Sequence, residues 1–135
     1  IINKWYKKHY NLKPKIGILG LNPHNAELRK NSEEQKIIVP AITDLKKMAI
    51  NISGPFVADT FFIKDFKKFD VIIGMYHDQV LTPFKTLYKF NASNITLGLP
   101  YIRISPDHGV AKDIIGKNKA DTTSLINCLK FINSF

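Results

Sequence analysis

Short, wholly apolar runs alternate along this chain with longer segments whose apolar residues recur at helical spacing. Ile16-Gly17-Ile18-Leu19-Gly20-Leu21 and Val71-Ile72-Ile73-Gly74-Met75-Tyr76 predict buried strands over 15–21 and 71–76. Two further strands are predicted over 94–100 and 102–105. Ser32-Glu33-Glu34-Gln35 has the form of a capping box, a hydroxyl at the cap and an amide three residues on. It predicts a helix to about residue 49, with Ile38, Ile42, Leu45 and Met48 or Ala49 on one face and a kink at Pro40. Gly54-Pro55 marks a turn. Residues 60–69 predict a helix that packs Phe61, Phe62, Phe66 and Phe69 as core, and 78–88 a helix containing Pro83. A short helix is expected at about 110–115, and an amphipathic one over 120–134 with Leu125, Leu129 and Ile132 inward. Residues 1–14, polar, basic and aromatic, read as a leading helix closed by Pro14. Strand and helix alternate without a repeat or a low-complexity linker, so the class is α/β and the expectation is a single compact unit over 1–135.

Composition narrows the partners. A chain of 135 residues with 44% apolar content can bury a core. No apolar run approaches the roughly 20 residues needed to span a bilayer, so no membrane partner is expected. The opening Ile1-Ile2-Asn3-Lys4-Trp5-Tyr6-Lys7-Lys8 has neither an initiator Met nor a signal-peptide pattern, and reads as the middle of a longer chain. The single cysteine, Cys128, excludes an internal disulfide and is expected as a small buried hydrophobe. The net charge of +9 raises the alternative of a basic nucleic-acid-binding module, whose binding would be salt-sensitive. Against it, only Arg29 and Arg103 are arginines, and the lysine pairs Lys7-Lys8, Lys46-Lys47 and Lys67-Lys68 are scattered. The expectation is no nucleic acid; a modest positive field suits a phosphorylated small molecule.

The chemistry gathers where strands stop. The 71–76 run ends abruptly at His77-Asp78, and the 15–21 run at Asn22-Pro23-His24. Ligand groups in open α/β sheets collect at the carboxyl ends of strands. Two strands that each end in an imidazole suggest a shared metal or a shared acid/base site. Asp59 and Asp78 are candidate ligands, acid/base groups or anchors for them. Arg103, set in apolar Tyr101-Ile102-Arg103-Ile104, suits bidentate recognition of phosphate or carboxylate, with a structural ion pair as the alternative. Lys85, on the helix that His77 opens, and Asn94, opening a strand, complete the candidate substrate groups. Gly17-Ile18-Leu19-Gly20 lacks the spacing of a dinucleotide fingerprint, and no P-loop or G-x-S-x-G occurs.

Taken in order, Leu19-Gly20-Leu21-Asn22-Pro23-His24, Gly54-Pro55 with Ala58-Asp59-Thr60, Met75-Tyr76-His77-Asp78-Gln79, Asn94-Ile95-Thr96-Leu97-Gly98-Leu99-Pro100 and Asp107-His108-Gly109 resemble the carboxy-terminal portion of the 4-hydroxythreonine-4-phosphate dehydrogenase family. The resemblance covers nearly the whole chain from about Lys15. It implies an isocitrate/isopropylmalate dehydrogenase-like mixed sheet flanked by helices, with the amino-terminal lobe absent. It implies NAD- or NADP-dependent oxidation and decarboxylation of 4-phosphooxy-L-threonine in pyridoxal phosphate (vitamin B6) biosynthesis, by a cytoplasmic homodimer with its active site at the interface. Another phosphorylated hydroxy acid, a threonate or erythronate phosphate, is the alternative substrate. By the same resemblance, a divalent metal (zinc, magnesium or cobalt) is held by three histidines. His24 and His77 match two, and the third lies outside this chain. Asp59 and Asp78 match acidic positions near the metal, and Lys85, Asn94 and Arg103 match substrate positions. Asp107, His108 and Gly109, followed by Ile114-Ile115-Gly116-Lys117, match the segment near the adenosine half of the cofactor. One departure stands out. A glycine-rich stretch is implied after His24, but the chain reads Asn25-Ala26-Glu27-Leu28-Arg29-Lys30, and a differently shaped loop is expected there.

Overall fold

A computed structural model describes residues 1–134. Where one compact unit was expected, the chain divides into two: Tyr6–Pro83, and Ile1–Trp5 together with the residues from Phe84 onward. Both are α/β, and the two strand senses fall into separate sheets. The expected leading helix is present as α1 (Ile2–Tyr10).

The unit 6–83 is built on a three-stranded parallel sheet in the order β2-β1-β3. β1 (Ile16–Leu19) is buried throughout and pairs on one side with β2 (Ile52–Phe56) and on the other with β3 (Val71–Ile73). A parallel strand covered in this way must be apolar, which is why its sequence is a continuous hydrophobic run. β3 is shorter than expected and only half-buried, because among the described residues nothing pairs with its outer edge. Gly54-Pro55 lies within β2 and not in a turn. Between the pairs Gly17↔Ser53 and Leu19↔Phe56, β2 carries one more residue than β1, and Gly54-Pro55 absorbs that bulge. Gly54 has φ 134°, and a Cβ there would run into the carbonyl oxygen of Ile18.

The capping box forms: Ser32 Oγ accepts the Gln35 backbone N–H at 3.3 Å. It opens a wide turn, Glu34–Ile38, that continues into α2 (Val39–Lys47). Pro40 therefore falls in the first turn of α2, where a missing N–H costs little. Ile38 and Ile42 are buried as expected, whereas Met48, the last residue of the expected face, is exposed beyond the helix end. α3 (Ala58–Lys64) places Phe61 at the centre of a ring cluster, with centroids 5.1 Å from Phe56, 5.5 Å from Phe62 and 5.7 Å from Phe69. α4 (His77–Tyr88) follows β3 directly.

In the other unit β4 (Ser93–Thr96) and β5 (Arg103–Pro106) form an antiparallel ribbon that packs against α5 (Thr123–Ile132). The segment expected as a helix at 110–115 is a single tight turn, Lys112–Ile114. The expected inward face of α5 is wrong. Leu125, Leu129 and Ile132 are exposed, and Ser124 and Cys128 are the buried positions. Hydrogen bonds decide this. Ser124 Oγ donates to the Ala92 carbonyl at 2.6 Å and accepts the Asp107 N–H at 2.7 Å, and Cys128 Sγ donates to Ser93 Oγ at 3.3 Å. Trp5 stacks on Phe131 at 6.2 Å. Among the described residues no helix is long and apolar enough to cross a membrane.

Replacing Gly54 by Ala adds a methyl group against a backbone oxygen at a left-handed φ. The substitution is expected to lower stability by at least about 2 kcal/mol, read as a fall in the urea midpoint with an unchanged m-value.

Candidate functional site

Each strand of the parallel sheet hands a candidate residue to its carboxyl end. His24 follows β1, Asp59 lies in the first turn of α3 after β2, and His77 with Asp78 opens α4 after β3. Since β1 is hydrogen-bonded to both neighbours, His24 and His77 follow adjacent strand ends. His24 Nε2 lies 3.3 Å from Asp59 Oδ2, and both side chains are exposed. The Asp59 backbone N–H donates to the Pro23 carbonyl at 3.2 Å, which ties α3 to the His24 loop. Two ligands each about 2.1 Å from a zinc ion, at a tetrahedral angle, stand roughly 3.4 Å apart. The His24–Asp59 spacing therefore fits a shared cation as well as an ion pair. Among the described residues no three His, Cys, Asp or Glu side chains converge on one point.

The His24 loop is held from beneath. Asn22 Oδ1 accepts the backbone N–H groups of His24 at 2.9 Å and Ala26 at 3.1 Å. Asn22's own N–H donates to Glu34 Oε1 at 2.7 Å, and Asn25 Nδ2 donates to the Pro55 carbonyl at 2.8 Å. Glu34 is fully buried. Burial pushes its carboxyl up, but hydrogen bonds from Asn22, its own backbone, Ser32 and Leu21 outweigh this and hold it below the ordinary glutamate range. Beyond His24 the backbone is left-handed at three successive residues, Asn25 (φ 57°), Ala26 (φ 45°) and Glu27 (φ 51°). The glycine-free loop thus occupies the region that glycine enters at least cost. Glu27 is held below its ordinary range by the hydrogen bond and charge of Arg29, 2.9 Å away.

The second set of candidates lies in the other unit. In the β4–β5 ribbon Asn94 pairs with Ser105 and Thr96 with Arg103, so Asn94, Thr96, Arg103 and Ser105 share one face. Arg103 Nη1 donates to Thr96 Oγ1 at 2.7 Å and, among the described residues, meets no carboxylate. Lys85 Nζ lies 3.1 Å from Asp107 Oδ1, which joins a residue expected on the substrate to one expected on the cofactor. His108 is exposed, its Nδ1 3.1 Å from the Gly109 carbonyl. The supporting residues Asn22, Glu34, Gln79 and Ser124 went unassigned in the sequence. Gln79 follows directly on His77-Asp78, and its polarity on the buried side of α4 is the available signal.

The family model for the pyridoxal phosphate biosynthetic protein PdxA matches residues 1–132. The chain belongs to the PdxA family. It is 48% identical over 132 residues to a 4-hydroxythreonine-4-phosphate dehydrogenase of Sulfurihydrogenibium sp., covering 96% of this chain and 41% of that one. It is 47% identical over 119 residues to a relative from Oceanobacillus iheyensis provisionally named a D-threonate 4-phosphate dehydrogenase, covering 86% of this chain and 36% of the relative. A crystal structure of 4-hydroxythreonine-4-phosphate dehydrogenase from Klebsiella pneumoniae superposes with a TM-score of 0.77 at 32% identity, over 96% of this chain and 40% of that one. This PdxA-family chain therefore spans about two fifths of the length of the relatives it matches.

Two predictions follow from the loop. Ala26→Gly relieves a left-handed alanine and is expected to raise stability by about 0.5–1 kcal/mol, the relief exceeding the added chain entropy; thermal unfolding checks it. Glu34 has a depressed folded pKa, so its contribution is present above the unfolded value of about 4.3 and is lost as pH falls through the folded one. Glu34→Gln is expected to lower stability at neutral pH and to flatten its decline below about pH 4.3, measured as urea midpoints across pH.

Proposed function

We propose that this chain forms part of a dehydrogenase, dependent on NAD or NADP and on a divalent metal, that oxidises and decarboxylates 4-phosphooxy-L-threonine in pyridoxal phosphate biosynthesis. In this reading it works in the cytoplasm as a homodimer with the active site at the subunit interface, without nucleic acid or membrane partners. The observation that carries the reading is the delivery of His24 and His77 to the ends of adjacent parallel strands in a chain of the PdxA family.

His24 and His77 would hold the zinc, magnesium or cobalt ion, with a third ligand from outside this chain. Such an ion supplies a Lewis acid that lowers the pKa of the substrate hydroxyl and stabilises the negative charge left as carbon dioxide departs. Asp59, 3.3 Å from His24, and Asp78, next to His77 in the sequence, would orient the imidazoles and take up the hydroxyl proton. Lys85, Asn94 and Arg103 bind the substrate's anionic and polar groups. The Thr96 hydroxyl fixes one arm of the Arg103 fork and leaves the rest for an anion. Asp107, His108 and Gly109 would line the adenosine side of the cofactor. A second reading, oxidation of a phosphorylated threonate, is favoured by the Oceanobacillus relative. Formation of NADH with each substrate in turn decides between them.

In the full-length enzyme Arg103→Lys keeps the charge but loses the fork. Each charge-assisted hydrogen bond lost is worth on the order of 1.5–3 kcal/mol, so kcat/KM is expected to fall roughly ten-fold or more. Unchanged turnover with weakened folding would make Arg103 structural. His77→Ala is expected to abolish turnover and leave the fold intact by circular dichroism. Full activity after exhaustive chelation would remove the metal from the mechanism.

A further inference from the structure

Gln79 is the buried polar residue that touches both histidine-bearing strand ends. Its Nε2 donates to the Gly20 carbonyl at 2.7 Å, just beyond β1, and its Oε1 accepts the Met75 N–H at 2.7 Å, just beyond β3. Gln79 is buried, and both partners are backbone groups, so neither bond can be remade by a side-chain rotation of the partner. Gly20 leads into Asn22-Pro23-His24, and Met75 into Tyr76-His77. The same amide therefore links the two segments that lead to the imidazoles, beyond the last β1–β3 backbone pair. Gly20 is itself confined, since the Asn25 side chain fills the space a Cβ would need. On the far side of the same loop, buried Glu34 holds the Asn22 N–H.

We propose that Gln79 is a positioning residue that sets the spacing of His24 and His77 by bridging the ends of β1 and β3, and so governs the divalent-cation affinity of the pair. This rests on the reading of the two histidines as metal ligands. An amide suits the task as a carboxylate does not. One end must donate to a carbonyl and the other must accept from an N–H; a neutral amide does both from its two ends, whereas an ionised carboxylate only accepts. Each bond lost would leave a buried backbone group without a partner.

The test uses this chain labelled with 15N-histidine and titrated with Zn2+ alone. In the wild type the His24 and His77 ring signals are expected to move with one common midpoint, while His9 serves as reference. Gln79→Met, similar in length and unable to make either bond, is expected to weaken that midpoint about ten-fold or more, the range seen when groups that orient metal ligands are removed, with urea unfolding confirming a folded chain. Gln79→Glu keeps the acceptor for Met75 and sets an oxygen against the Gly20 carbonyl. It is expected to disturb the His24 signal more than that of His77, which a general loss of stability would not do. An unchanged Zn2+ midpoint in a folded Gln79→Met chain overturns the proposal and leaves the metal reading standing. If neither wild-type ring responds to Zn2+, the metal reading loses its support in this chain. The spacing role is then decided on metal-free spectra: Gln79→Met must shift both rings and leave His9 in place, and failure to do so overturns it.

Discussion

β1 is sealed on both faces by the core and on both edges by its neighbours. That constraint orders everything in the unit 6–83. A strand with no exposed surface can carry no chemistry along its length, so polar groups enter where it stops. Because β2 and β3 run parallel to it, all three stop on the same side of the sheet, and His24, Asp59 and His77 follow from the three ends. Sheet direction, not any local motif, delivers residues far apart in sequence to the same edge of the sheet.

What had to be apolar was legible in the sequence. The buried strand, the capping box at Ser32, the phenylalanine core and the two strand-then-histidine contexts each leave a local mark, and each is found. What depends on a distant partner was not. Periodicity marks an apolar stripe on α5, but it cannot say that Ser124 will be drawn inward by Ala92 and Asp107 while Leu125 and Leu129 face out. Gly-Pro usually breaks a chain, and only the pairing with β1 reveals that Gly54-Pro55 absorbs a bulge within a strand. The candidate ligands could be named from the chain because imidazoles at strand ends are conspicuous. The supporting roles of Gln79 and Glu34 leave no local mark, because an amide or a carboxylate becomes informative only when it is buried against backbone.

The two units solve polar placement differently. Around the parallel sheet, backbone amides are gathered onto buried side chains, Glu34 and Gln79, so the loops above are stiffened from below. In the β4–β5 ribbon the alternation of strand residues does the sorting. Ile95 and Ile104 are half-buried on one face, and Asn94 and Arg103 are exposed on the other. The ribbon needs no network beneath its polar face because the pleat itself points those groups outward.

Lys85 already has a counter-ion. Its ammonium sits 3.1 Å from a half-buried Asp107 whose backbone is pinned to Ser124. An anion approaching Lys85 meets an occupied charge and a resident competitor of its own sign. Whatever anion reaches Lys85 must compete with that one fixed aspartate.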